Sequence, residues 1–168
     1  MLDSLITSKT RLRLLVKFFL NIANKGYLNG LANELGESTN SVRKELNNLS
    51  SAGYLEKHNE NNRVVYRANS SHPLFKIIQK IVKKHLGIEE IIETVYNRIG
   101  EVKKIVILGD YAEGIDSGHI EILIVGDNIN EDYLKEITVK IEKKIKRKVS
   151  FFVSNTTLRQ KTLTIFEA

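Results

Sequence analysis

Two sets of residues in this chain have types and spacings with chemical meaning. The first is Thr39, Asn40, Arg43, Lys44 and Asn47, which stand between the apolar positions Val42, Leu46 and Leu49. Spacings of four and three put the apolar set on one face of a helix, so the polar set is presented together on another. Hydroxyl, carboxamide, guanidinium and ammonium donors gathered in this way reach phosphates and base edges of a nucleic acid. The second set is His119 and Glu121, two positions apart, with Asp110 and Glu113 shortly before them. On a strand, residues i and i+2 share a face, and imidazole with carboxylate is a legitimate ligand pair for a borderline cation such as Zn²⁺. Two ligands do not make a site, so no metal and no cofactor is assigned. The other histidines, His58, His72 and His85, have no serine or cysteine at nucleophile spacing, and no GxxxxGK phosphate loop is present. No catalytic residue is assigned.

The elements that must position the first set follow from the punctuation around it. Leu28, Leu31, Ala32 and Leu35 mark a helix that Gly36 ends. Ser38 or Thr39 can cap the next helix, which runs to Ser51 before Gly53. A two-stranded hairpin is expected next, with Tyr54–Lys57 and Arg63–Tyr66 flanking a polar tip at 58–62, and with Lys57, Arg63 and Arg67 as its cations. Upstream, Ser8–Ala23 reads as a helix with Leu12, Leu15, Val16, Phe19 and Leu20 inward and Ser8 as cap. Leu2, Leu5 and Ile6 are expected to form a short arm for a partner subunit.

Downstream, Pro73–Leu86 reads as a helix whose apolar stripe is broad: Phe75, Ile78, Val82 and Leu86, with Leu74, Ile77 and Ile81 beside them. That breadth is expected to serve a second domain or a dimer. Ile88–Ile99 is a further amphipathic helix. Lys104–Leu108, His119–Val125 and Val149–Val153 read as strands, with a helix at Glu131–Lys146 and a short one at Thr157–Thr162. Such alternation indicates a small α/β domain.

The 168 residues admit one large domain or two small ones, and 42% are hydrophobic, as in a soluble globule. No apolar run spans a membrane, and the start of the chain is unlike a signal peptide, so a cytoplasmic location is the expectation. With no cysteine, disulfides and thiolate metal sites are excluded. Residues 1–86 hold 14 Lys/Arg against 6 Asp/Glu, whereas residues 87–168 hold 12 against 14. The positive excess falls on the half that carries the helix–turn–helix pattern, where a polyanion would bind.

The run LANELGESTNSVRKELNNLSSAGYLEK resembles bacterial winged-helix regulators of the ArsR/MarR type. Leu35-Gly36 stands before the recognition helix of that pattern, and Leu49 through Leu55 supplies its xLxxxGYL ending. The resemblance covers about the first 70 residues and implies DNA binding, with the second helix in the major groove and the hairpin on the flanking backbone. The absence of cysteine excludes the cysteine-based metal sensing of many ArsR relatives.

The segment from Ile105 to Gly126 resembles the core of minimal nucleotidyltransferases: strand, Gly-Ser turn, YARG, then SDIDLLVVG. Gly109, Tyr111, Ala112, Gly114, Ile120, Val125 and Gly126 match that scaffold. The resemblance implies a phosphate-holding turn and an Asp-x-Asp pair for two Mg²⁺ ions, yet Asp110 replaces the serine, Glu113 the arginine, and His119 and Glu121 the two aspartates. The third carboxylate position falls near Ser150. Asp110 and Glu113 put negative charge where a triphosphate would lie.

The resulting expectation is an α+β chain: a winged helix-turn-helix over 1–71, linking or dimerisation helices over 72–99, and a degenerate nucleotidyltransferase-like α/β domain over 100–168. Its function would be sequence-specific regulation of transcription as a homodimer on double-stranded DNA, with an unknown small ligand or protein as a further partner. The alternatives are a nucleotidyltransferase with unusual metal ligands and an antitoxin-like interaction module.

Overall fold

The structure, a computed structural model, describes residues 2–96, 98–156 and 162–168. Mixed α and β elements with two sheets form two compact units, Met1–His85 and Leu86–Ala168. The segment 72–99 is divided between them. Among the described residues no helix is long and apolar enough to cross a membrane.

In the first unit, helix α1 (Lys9–Leu20) is capped by Ser8, whose Oγ accepts the Arg11 N–H at 3.2 Å. It buries Leu12, Leu14, Leu15, Val16, Phe18, Phe19 and Leu20. It stops short of the expected Ala23. Asn21 turns extended and accepts the Ala23 N–H, while the buried Asn24 amide donates to the Lys17 carbonyl, one of those a helix end leaves free. Strand β1 (Lys25–Tyr27) follows, just before the expected helix, and it makes the expected two-stranded ribbon three-stranded. Three residues carry no periodicity of their own; β1 exists through its pairing with a distant strand.

Helices α2 (Leu28–Leu35) and α3 (Thr39–Ser51) are joined by a short turn. Gly36, at φ +63°, closes α2, and Ser38 caps α3 through the Ser41 N–H at 3.1 Å. Strands β2 (Leu55–Glu60) and β3 (Arg63–Ala68) make an antiparallel hairpin, with the sheet ordered β1-β3-β2. The expected five-residue tip shrinks to Asn61 and Asn62, because His58, Asn59 and Glu60 pair with Val65, Val64 and Arg63. Both turn residues have positive φ, a geometry asparagine tolerates and one that matches strand twist. Helix α4 (Phe75–Leu86) comes next, with Phe75 on the Phe19 ring at a centroid distance of 5.6 Å. Leu2 is buried and its N–H lies 3.4 Å from His85 Nδ1, so this part of the expected partner arm docks on its own unit; Leu5 alone stands well exposed.

The second unit contains α5 (Ile88–Tyr96), β4 (Glu101–Leu108), α6 (Gly109–Ala112), β5 (His119–Asp127), α7 (Glu131–Ile145), β6 (Lys148–Ser154) and β7 (Leu163–Glu167). The sheet is ordered β6-β5-β4-β7. Only the β5/β6 pair is parallel, as the intervening α7 crossover requires. Ile105, Ile107, Ile120, Ile122 and Ile124 form the centre of its core, with Ile88, Ile91 and Val95 of α5 and Leu134, Ile137 and Ile141 of α7. Helix α5 ends three residues before the expected Ile99, and β4 begins three before Lys104. The helix expected at Thr157–Thr162 lies outside the described residues except for Thr162, which is irregular.

Candidate nucleic-acid interface

Helix α3 owes its orientation to Val42, Leu46 and Leu49, all buried. Thr39, Asn40, Arg43, Lys44 and Asn47 are exposed together on its outer side. Arg43 donates from Nη1 to Asn40 Oδ1 at 3.1 Å, which holds a guanidinium and a carboxamide next to one another on the open face. On the hairpin, Lys57, Arg63 and Arg67 are exposed as well. Lys57 Nζ lies 5.8 Å from the ring centroid of its cross-strand partner Tyr66, and the Arg63 guanidinium lies 4.6 Å from that of Tyr27. Aromatic faces hold both cations without neutralising them. Arg67 differs: its Nε donates to Glu56 at 3.1 Å, and the same carboxylate sits 3.3 Å from His58 Nε2.

The fold sorts charge. All five glutamates of the first unit are ion-paired: Glu34 with Lys17, Glu37 with Arg13, Glu45 with Arg11 at 2.8 Å, Glu56 with Arg67, and Glu60 with Lys25 at 2.7 Å. No carboxylate partner is found among the described residues for Arg43, Lys44, Lys57 or Arg63. These four cations leave α3 and the hairpin positively charged, and Lys9 on α1 with Lys76, Lys80 and Lys83 on α4 supplies further charge without a carboxylate partner among the described residues. Hydrogen bonds from Arg67 and Lys25 hold Glu56 and Glu60 below the usual carboxylate range. Glu45 is the case the sequence reading missed. Burial pushes its carboxyl up, but hydrogen bonds from Arg11 and Ser8 outweigh that and leave it lowered. Its signal was available, since Glu45 falls within the apolar stripe of Val42, Leu46 and Leu49, where a charge must be paired.

In the second unit, Gly109 opens α6 at φ +59°, and Asp110 after it is exposed. Glu121 pairs in register with Leu108 on one side and Ser150 on the other. Its carboxylate lies over the turn, such that a Cβ added at Gly109 would collide with Glu121 Oε2. His119 Nε2 is 2.8 Å from Ser150 Oγ. Glu113 stands just after α6, half-buried. Among the described residues no group of three or more His, Asp or Glu is placed to hold a metal ion. An anion at this glycine turn would meet the Glu121 carboxylate directly and Asp110 beside it. Like charges about 4 Å apart repel by ~4 kcal/mol at an effective dielectric near 20.

No family model and no curated protein matches this chain. Among solved structures, the crystal structure of Sso10a-2, a DNA-binding protein from Sulfolobus solfataricus, matches with a TM-score of 0.36 and 17% identity over 52% of this chain and 88% of that chain.

Proposed function

We propose that this protein is a sequence-specific, DNA-binding transcriptional regulator whose first unit is a winged helix-turn-helix of the ArsR/MarR type. The observation that carries the reading is the charge of α3 and the hairpin: the glutamates of the first unit are paired with other cations, which leaves Arg43, Lys44, Lys57 and Arg63 exposed without carboxylate partners among the described residues. Helix α3 enters the major groove, where Arg43 and Asn40 read base edges and Thr39, Lys44 and Asn47 meet bases or phosphate. The wing holds the flanking backbone through Lys57 and Arg63. Arg67 joins them only by releasing Glu56.

The second unit is read as a nucleotidyltransferase-like fold without catalysis, because a carboxylate occupies its glycine turn. It serves dimerisation or the sensing of a ligand or partner in the cytoplasm. The homodimer reading rests on α4 and the residue before it, where Leu74, Ile77 and Ile81 are 42%, 54% and 41% exposed at spacings of three and four. Such a stripe beside Lys76 and Lys80 is a seam rather than a solvated face.

The test is selection of duplexes by the purified full-length protein from a random pool. An enriched palindromic motif is the expected result, with half-sites spaced for a two-fold dimer. Absence of enrichment together with absence of duplex binding refutes the reading. Light scattering of Ile77→Asp/Ile81→Asp checks the seam: a monomer is expected, and a persistent dimer rejects it.

A further inference from the structure

The second unit is bipolar. Residues 140–148, KIEKKIKRK, hold six Lys/Arg against one Glu, while the rest of residues 86–168 hold six against thirteen Asp/Glu. The cationic window spans the last turns of α7, the residue that closes it, and the start of β6. Lys143 and Lys144 need no special explanation, because cations offset the carbonyl end of any helix. Lys146 and Lys148 do need one. Lys146 adopts the left-handed conformation, φ +56°, which glycine or asparagine takes more cheaply, and Lys148 opens a strand. The left-handed backbone of Lys146 does not ask for a lysine, and Lys148 Nζ reaches only the Glu142 carboxylate, at 3.3 Å.

The turn is built on a fixed base. Arg147 gives Asp116 two hydrogen bonds, at 2.9 and 2.6 Å, and a third to the Ile145 carbonyl at 3.2 Å. Asp116 also accepts from the hydroxyl of buried Tyr111, which receives the Gly118 N–H at 3.2 Å. The Gly118 carbonyl then accepts the Lys148 N–H at 2.9 Å. Arg147 is therefore the anchor, its side chain only 14% exposed. Around it Lys143, Lys146 and Lys148 are exposed and line an open cleft of about 420 Å³ with Gly118, Val139 and one carboxylate, Glu142. Among the described residues Lys143 and Lys146 have no carboxylate partner, and Lys148 Nζ is 3.3 Å from Glu142.

We propose that this turn is a second contact for the phosphate backbone of duplex DNA, resting on the reading of the chain as a DNA-binding protein. An open cleft with exposed ammonium groups suits a chain of phosphates better than one enclosed anion. A membrane surface fits less well, since peripheral binding needs an apolar face to insert and Val139 is the one large apolar side chain lining the cleft. The contact is independent of sequence, because lysines reaching phosphate carry no base information.

The experiment compares full-length protein with Lys143→Gln/Lys146→Asn/Lys148→Gln on a random-sequence duplex over a range of salt. Asparagine keeps the left-handed turn, and an unchanged melting temperature establishes that the variant folds. The slope of log affinity against log salt becomes shallower by about 2–3, and random and selected duplexes lose affinity by the same factor, roughly tenfold or more at low salt. Lys103→Gln/Lys135→Gln is the control, since both lysines are already paired with aspartates, and it leaves the slope unchanged. If the triple variant does not fold, Lys143→Gln/Lys148→Gln takes its place, with a slope change of about 1–2, the lower figure if Lys148 stays on Glu142. An unchanged slope in a folded variant, with specific binding still lost on Arg43→Ala, overturns the second contact and leaves the proposed function standing. Failure of the unaltered protein to bind any duplex overturns both. Binding to phosphatidylserine vesicles that the substitutions abolish, with duplex affinity unchanged, overturns the proposal in favour of a membrane.

Discussion

Gly36 and Gly109 are two left-handed glycines at nearly the same φ, +63° and +59°, the first closing α2 and the second opening α6. Their surroundings are opposite. A Cβ added at Gly36 meets nothing within 4 Å, and the helix beyond it presents Arg43 and Lys44 without carboxylate partners. A Cβ added at Gly109 meets the Glu121 carboxylate, with Asp110 next in the chain. The space over the glycine is open in one unit and filled by the chain's own carboxylate in the other, although an acidic residue follows each glycine: Glu37, paired with Arg13, and Asp110. The side-chain charge around a turn, rather than the turn, decides what it can bind.

The largest expected consequence is in salt dependence. If about six phosphates are contacted, duplex affinity falls roughly a thousandfold between about 50 and 200 mM salt. ATP with Mg²⁺ gives no binding heat at the second unit in the same protein. A flat salt response removes the contrast from one side. Metal-dependent ATP binding with turnover that vanishes in Glu121→Ala removes it from the other.

Within the first unit the contrast is between helix and wing. Arg43→Ala weakens a selected duplex by about 1–3 kcal/mol more than a random one, as loss of a base contact does. Arg63→Ala weakens both about equally, because a wing cation meets phosphate. Equal losses for Arg43→Ala, measured by competition between the two duplexes, would reassign it to the backbone.

The two glycines can be compared directly by denaturant unfolding. Each glycine-to-alanine change costs about 1–2 kcal/mol for left-handed strain. Gly109→Ala costs up to about 1 kcal/mol more, because the Glu121 side chain must swing aside. In a Glu121→Ala background that excess disappears, whereas Gly36→Ala is unaffected. An excess that survives the second substitution means that something other than Glu121 fills the turn.

These features were unequally legible in the sequence. Helix α3 and its exposed donors follow from Val42, Leu46 and Leu49, since burial at spacings of four and three leaves one orientation. Strand β1 did not follow, because three residues hold no period and its partner lies some forty residues on, Lys25 opposite Arg67. The hairpin tip was drawn too wide because polar His58, Asn59 and Glu60 read as loop, while the ladder needs only their backbone. The charge sorting was invisible for the same reason: Glu34, Glu45 and Glu60 find cations 17, 34 and 35 residues away, which only the folded chain brings together. The closeness of Glu121 to Gly109 is likewise a matter of strand register, whereas the negative charge of Asp110 and Glu113 is legible locally.

Glu45 offers the smallest test and the one that separates sorting from mere pairing. Its carboxylate is buried, hydrogen-bonded by Ser8 at 2.8 Å and by Arg11 at 2.8 Å, and its pKa in the folded chain lies below the ordinary 4.5. A depressed carboxylate contributes stability that is present above its unfolded pKa and lost as pH falls through the folded one. Glu45→Gln therefore destabilises the first unit by about 1–2 kcal/mol at neutral pH, and the difference from the unaltered protein closes as pH falls below about 4. The same substitution frees the Arg11 guanidinium, which is 42% exposed, from its counter-charge. If Glu45 withholds a cation that would otherwise meet DNA, random-duplex affinity rises even as stability drops, with a salt slope steeper by up to about 1. Loss of stability without gain in affinity would make Glu45 a structural pair alone, holding α1 to α3 with no part in shaping the charged face.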